Sequence, residues 1–287
     1  MAKAYVFYNP NAGHGIHEYD LASLYVILRD EIIFCDMTKP ETYETVLFSL
    51  DADDYIVICG GDGTLNRFIN FTDGTEIKNR IFYCPVGTGN DFAHDMGKIR
   101  GDVPFEITDC IKNLPYVEVN GNSYRFLNGV GYGIDGYCCQ VGDEMKAMGN
   151  KKINYTLIAI KGLLFRYRPT GAKITVDGKS YTYDKVWLAP TMHGRYYGGG
   201  MIPTPNQKRG NKEGKLSLMV FHGSGKLKTL AIFPSIFKGK HIKHKDCVAV
   251  HEGREITVEF DRPTPLQIDG ETILDVIKYR AYSCKGQ

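Results

Sequence analysis

Tyr55-Ile56-Val57-Ile58-Cys59-Gly60-Gly61-Asp62-Gly63-Thr64-Leu65-Asn66 decides how the first part of the chain is read. An unbroken apolar run, Tyr55 to Cys59, predicts a strand buried on both faces, as in parallel sheets. Three glycines around one acid then give way to a helical pattern from Thr64. The same rhythm extends in both directions. Upstream, strand Ala4 to Tyr8 precedes a helix over Ile16 to Arg29, where Leu21, Leu24, Tyr25 and Leu28 share a face. Strand Glu31 to Cys35 and helix Glu41 to Leu50 follow. Downstream come strand Ile81 to Cys84 and a helix from Asn90. Strands alternating with helices predict a parallel sheet with crossover helices, a three-layer Rossmann-like α/β domain that binds a nucleotide.

From about Pro115 the texture turns to strands and hairpin signals: Asn120-Gly121, Asp177-Gly178, Glu252-Gly253 and Asp269-Gly270. The expectation is a nucleotide-binding domain over 1–115 and a β-rich, sandwich-like domain over 116–287. Helices are expected at Asn154 to Tyr167 and Lys226 to Phe237, the latter interrupted by Pro234. The last strand, Val276 to Tyr282, could return to either domain.

With 43% hydrophobic and 24% charged residues and a formal charge of +2, the 287 residues describe an ordinary globular protein, neither disordered nor built to coat nucleic acid. The longest apolar stretches fall far short of the ~18 residues that cross a bilayer, so membrane contact would be peripheral. Met1 runs straight into a strand without a signal-peptide pattern, which points to the cytoplasm. Eight cysteines without a CxxC pair read as reduced structural thiols, and eight histidines offer no ligand set.

Ligands of open α/β sheets bind at the carboxyl ends of strands, where three loops carry too many glycines to be plain connections. Asn9-Pro10-Asn11-Ala12-Gly13-His14-Gly15 has flexible glycines before a helix, which lets amides point at an anion. In Gly60 to Asn66 the missing side chains permit close approach of a nucleotide. Thr64 and the helix N-terminus offer donors to phosphate there, and Asp62 a carboxylate to Mg²⁺ or ribose. Pro85-Val86-Gly87-Thr88-Gly89-Asn90-Asp91-Phe92-Ala93 repeats the arrangement, with Asn90 or Asp91 expected to cap the next helix.

NPNAG, GGDGTLN and PVGTGNDFA in this order resemble the bacterial diacylglycerol and lipid kinase family, related to sphingosine kinases. FLNGVGYGIDG at 126–136, similar to the family's domain-crossing strand, and YGGGM at 197–201 extend the likeness over nearly the whole chain. The resemblance implies ATP and Mg²⁺ as cofactors, an active site between the two domains, and transfer of the γ-phosphoryl group to a lipid hydroxyl, diacylglycerol first among candidates. It implies nucleotide contacts from Asn9, Pro10, Gly13, Thr38, Gly60, Gly61, Asp62, Gly63, Thr64, Asn66, Gly87, Thr88, Gly89, Asn90 and Asp91. A proton acceptor is implied in Asp269-Gly270-Glu271, with Asp269 and Glu271 both open and Asp62 as a further catalytic carboxylate. Where the family carries an Asp-Gly-x-Leu-x-Asp metal loop, this chain reads Glu213-Gly214-Lys215-Leu216-Ser217, so Glu213 is a weak metal candidate.

GGDGT also occurs in NAD kinases and phosphofructokinases, so a kinase of a soluble metabolite such as NAD is the alternative, alongside a nucleotide-binding regulator without turnover. Two basic runs interleaved with apolar residues, Lys146 to Arg168 and Lys226 to Lys245, suit peripheral contact with an anionic membrane at its inner face. No nucleic-acid motif is present, and a homodimer is left open.

Overall fold

The computed structural model describes residues 2–10, 24–28, 30–87, 89–150 and 152–284. The chain forms two compact units, Met1–Asn113 and Leu114–Gln287.

In the first unit, β1 (Lys3–Tyr8), β2 (Glu31–Asp36), β3 (Tyr55–Gly60) and β4 (Arg80–Pro85) run parallel, and short β5 (Phe105–Glu106) closes the edge antiparallel, in the order β2-β1-β3-β4-β5. Successive side chains of a strand point to opposite faces. Val6, Val57 and Cys59 therefore pack under Leu24, in the helical stretch 24–27, while Phe7 meets Tyr43 and Phe68 of the helices Pro40–Ser49 and Asp62–Phe71. This is the expected three-layer arrangement. Most of the helix expected at 16–29 lies outside the described residues, as do Gly13 and Thr88.

Register puts Tyr8 beside Asp36 and Cys59, and Gly60 beside Pro85. Four strand ends thus share one edge. The chain moves to one side of β1 for β2 and to the other for β3, so the switch point of the sheet lies between β1 and β3, where open α/β sheets bind ligands.

The second unit is built on a sheet in the order β13-β12-β11-β8-β14-β15-β6-β7, with the hairpin β9–β10 added to β14. Its strands are β6 (Tyr116–Val119), β7 (Asn122–Arg125), β8 (Gly129–Tyr132), β9 (Thr170–Val176), β10 (Lys179–Val186), β11 (Thr191–Met192), β12 (Leu216–Phe221), β13 (Val248–Gly253), β14 (Glu255–Ile268) and β15 (Glu271–Tyr282). One core gathers Phe126, Tyr132, Ile174, Val258 and Tyr279, with Tyr132 stacked on Phe260 at 3.9 Å. A second core sets Trp187, Met219 and Phe221 against Ile134, Leu163 and Ile236 from covering helices. The last strand pairs with β14 and β6 inside this sheet.

Asn120-Gly121, Asp177-Gly178 and Asp269-Gly270 form hairpin turns with both residues at positive φ, as the left-handed turn type requires. Glu252-Gly253 does not. β13 pairs with β12, and the chain continues from β13 into β14 past the β9–β10 turn, where Asp177 Oδ1 accepts from the Arg254 and Glu255 amides at 2.9 Å each. Gly253 lacks a side chain because Val176 and the Asp177 carboxylate fill the space a Cβ would need. The stretch 126–136 is also corrected. Its strand ends at Tyr132, Gly133 turns at φ 113°, and residues from Ile134 begin the helix Ile134–Ala147.

Candidate active site

The second and third loops interlock. Asp62 N–H donates to Gly89 O at 3.2 Å, and the Val86 and Gly87 amides both donate to Gly60 O at 3.1 Å. Tyr83, at the heart of the pair, donates to Gly60 O at 3.2 Å and Asn90 Oδ1 at 3.3 Å. Burial, with Asp62 nearby, pushes its phenol well above the ordinary range, so it remains a donor.

The glycines owe their place to this contact. A Cβ on Gly87 would collide with the Gly61 backbone, one on Gly61 would lie 2.8 Å from Gly89 O, and one on Gly60 would enter the Thr64 side chain. Gly60, Gly61 and Gly87 thus let protein pack closely at this junction. Gly89 alone among the four keeps room, with Asp62 Oδ2 at 3.6 Å.

Asp62 is buried, and its two oxygens accept from the amides of Asp91 at 2.7 Å and Phe92 at 2.9 Å. This carboxylate caps the helix Asp91–Asp95 from 29 residues away. Asn90, expected to do so, makes no cap bond; its Nδ2 closes the loop on Gly87 O at 2.7 Å. In the helix Asp62–Phe71 the Asp62 and Leu65 amides have carbonyl partners. Gly63 and Thr64 supply the remaining first-turn N–H groups at a partly positive helix end. The Thr64 side chain packs onto Gly60, and Asn66 is buried, its Oδ1 accepting from Asn70 Nδ2 at 3.2 Å. Thr38, past β2, bonds Asp36 Oδ1 through amide and hydroxyl at 2.8 and 2.7 Å, which holds the Asp36 carboxyl below its usual range. Asn9 and Pro10 follow β1 on the same edge.

The turn Asp269-Gly270-Glu271 separates its two acids. Asp269, at φ 48°, accepts from Leu127, Asn128 and Gly129 amides at 2.6, 2.8 and 3.0 Å. Glu271 is exposed, and among the described residues its carboxylate makes no hydrogen bond or ion pair. Around the segment that Asp269 anchors, Arg209 donates to Leu127 O at 2.5 Å and Asn128 Oδ1 at 2.8 Å, and His193 Nδ1 lies 3.0 Å from Leu127 O. Sequence reading missed this basic pair, for which no motif signals.

Glu213 pairs with Lys215 on the surface, and the described residues contain no cluster of three acids, histidines or cysteines suited to a metal.

Two family models match the chain: the diacylglycerol kinase catalytic domain over residues 3–115, and the YegS C-terminal NAD kinase beta sandwich-like domain over residues 128–278. A diacylglycerol kinase of Mycobacterium tuberculosis (strain ATCC 25618 / H37Rv) is 28% identical over 213 residues, 72% of this chain and 67% of its own. One from Bacillus subtilis (strain 168) is 25% identical over 286 residues, 94% of this chain and 90% of its own. The crystal structure of a diacylglycerol kinase from Bacillus anthracis str. Sterne shares the fold, with a TM-score of 0.64 at 20% identity over 99% of this chain and 94% of that one. Since the second model spans more than half of the 287 residues and the first covers the loops described above, the chain belongs to the diacylglycerol kinase family of lipid kinases, which phosphorylate a hydroxyl group.

Proposed function

We propose that this protein transfers the γ-phosphoryl group of ATP to the hydroxyl of diacylglycerol, with ATP on the first unit's loops and Glu271 as proton acceptor. The contrast between the two acids of the turn carries the assignment. A carboxylate held by three backbone amides has its acceptor capacity committed, whereas an exposed one can turn toward a hydroxyl.

The loops suit a triphosphate through the Gly63 and Thr64 amides at the N-terminus of a ten-residue helix beside the switch point. Mg²⁺, when bound, would spread charge over the phosphates, and a site of this kind would leave most of its ligands to water and phosphate oxygens. That fits a loop pair whose inward carboxylate, Asp62, already holds two amides. Phosphoryl transfer asks the protein for positioning more than covalent help. Leu127 to Gly129, fixed by Asp269, give the acceptor turn its footing.

The lipid would be met at a surface. The helix Tyr155–Lys161 runs into a π-helical turn, Gly162–Arg166, and Lys226 of the helix Lys226–Ile232 donates to Leu164 O at 2.8 Å, so the two basic runs adjoin. Phe165 and Leu227 stand 75% and 79% exposed there, near Lys161, Arg166 and Lys226. Apolar tips ringed by cations suit the headgroup region of an anionic bilayer.

Labelled ATP offered with diacylglycerol in anionic vesicles, and in parallel with NAD, tests the reading. Labelled phosphatidic acid is expected, together with a kcat loss on the order of 10²-fold or more in Glu271→Gln. Label on NAD instead, or full activity of Glu271→Gln, would overturn it. Phe165→Ser with Leu227→Ser is expected to lower vesicle binding at 0.1 M salt without changing ATP affinity.

A further inference from the structure

The turn Asp269-Gly270-Glu271 has a second support that runs inward. Gln267, buried on β14, accepts from the Gly270 amide through Oε1 at 2.6 Å. Its Nε2 points the other way, to Asp135 in the first turn of the helix Ile134–Ala147. Asp135 Oδ2 and Gln267 Nε2 together occupy the space that a Cβ on Gly131 would need. Tyr197, from the glycine loop whose base is closed by paired Tyr197 and Met201 amides, turns its hydroxyl to the same carboxylate. Neither Asp135 oxygen nor the Tyr197 hydroxyl reaches full hydrogen-bond geometry, so a buried acid stands among donors that aim at it.

The helix reinforces this contact further along. Asp135, Cys139 and Asp143 recur every four residues on one face, Cys139 lies within electrostatic reach of Glu271, and Asp143 Oδ2 accepts from Thr272 Oγ1 at 2.7 Å. The face lies under the acceptor turn from Gln267 to Thr272.

We propose that Asp135 is a positioning residue for phosphoryl transfer, which acts through Gln267 to fix the Asp269-Gly270-Glu271 turn. The inference rests on the reading of Glu271 as proton acceptor. An ionised carboxylate only accepts, so it forces the Gln267 amide to present nitrogen inward and oxygen to the Gly270 N–H. A protonated acid, or an asparagine, also donates. The amide can then reverse and set its NH₂ against the Gly270 N–H, which loosens the turn.

Burial pushes the Asp135 carboxyl up to about 6. The groups facing it are Tyr197, Tyr167 of the π-helical turn's end, Tyr279 of β15, and Cys138 and Cys139 of its own helix. Burial raises all five above their ordinary values, so all are neutral near pH 6 and Asp135 alone among them changes charge there.

Asp135→Asn is expected to lower kcat by on the order of 10-fold to 100-fold with the KM for ATP unchanged, and to remove a fall in wild-type kcat as pH drops through about 6. Gln267→Leu should lower kcat equally, and the double variant no further. Stability separates positioning from a structural role. An acid whose folded pKa is raised costs stability once pH exceeds its unfolded value, fully above the folded one. The asparagine variant should therefore melt no lower than wild type at pH 8, with any gain fading toward pH 4. Wild-type kcat with the acid fall intact in Asp135→Asn, or additive losses in the double variant, would overturn the inference. If Asp135→Asn does not fold, Gln267→Leu decides by its kcat and KM alone. Full activity of Glu271→Gln would instead strike the acceptor assignment, which the same assay reads separately.

Discussion

The glycine-rich loops of the first unit and the Asp269-Gly270-Glu271 turn of the second are both tight, for opposite reasons. The loops are held by backbone against backbone, with Gly87 on Gly61 and Gly60 O receiving two amides. The turn is held by side chains from distant segments, Asp269 onto residues 127–129 and Gln267 onto Gly270. Backbone contact demands a residue type and so writes a motif; side-chain anchoring leaves scattered polar residues that no local pattern reveals.

Breaking the turn should cost most. Asp269→Asn keeps a residue that tolerates the left-handed backbone but faces an NH₂ toward amide donors, and a loss of about 4 kcal/mol is expected in urea unfolding. Asp62→Ala removes two charged hydrogen bonds that join the second loop to the third, for about 3 kcal/mol in the same measurement, with ATP affinity lost in parallel. Gly87→Ala forces backbone apart and should cost about 2 kcal/mol. Gly89→Ala, whose Cβ meets Asp62 at an ordinary 3.6 Å, should stay within about 0.5 kcal/mol. Equal losses at Gly87 and Gly89 would refute the loop-on-loop account of these glycines.

The sheet of the first unit was legible because buried parallel strands such as Ile56 to Cys59 are apolar on both faces and end in glycine. That the same glycines also let the two loops pack on each other was not legible, since a sequence cannot say what fills an empty space. Helix Ile134–Ala147 escaped notice for a related reason. Gly136 and Gly142 weaken its local preference, yet each sits where the Pro265 carbonyl or the Tyr155 ring lies too close for a Cβ. Its apolar stripe, Ile134, Tyr137, Cys138, Val141 and Met145, faces the second core, while Asp135, Cys139 and Asp143 turn toward β14 and β15 rather than outward, so polar residues sit on a covered face and blur the pattern. Glu252-Gly253 misled similarly, as a glycine needed for close approach looks like a turn. Asp269 and Glu271 were legible as a pair. The difference in their surroundings depends on the amides of residues 127–129, about 140 positions away.

Asp62 as a cap for Asp91–Asp95 bears on the order of folding. A helix of five residues cannot sustain itself in water, where nucleation alone is unfavourable. It can form only after β3 and the start of the next helix deliver the Asp62 carboxylate. Hydrogen exchange at the Asp91 and Phe92 amides would therefore report the closing of the second loop onto the third, a late event whose slowing in Asp62→Ala would leave the β1–β3 amides untouched.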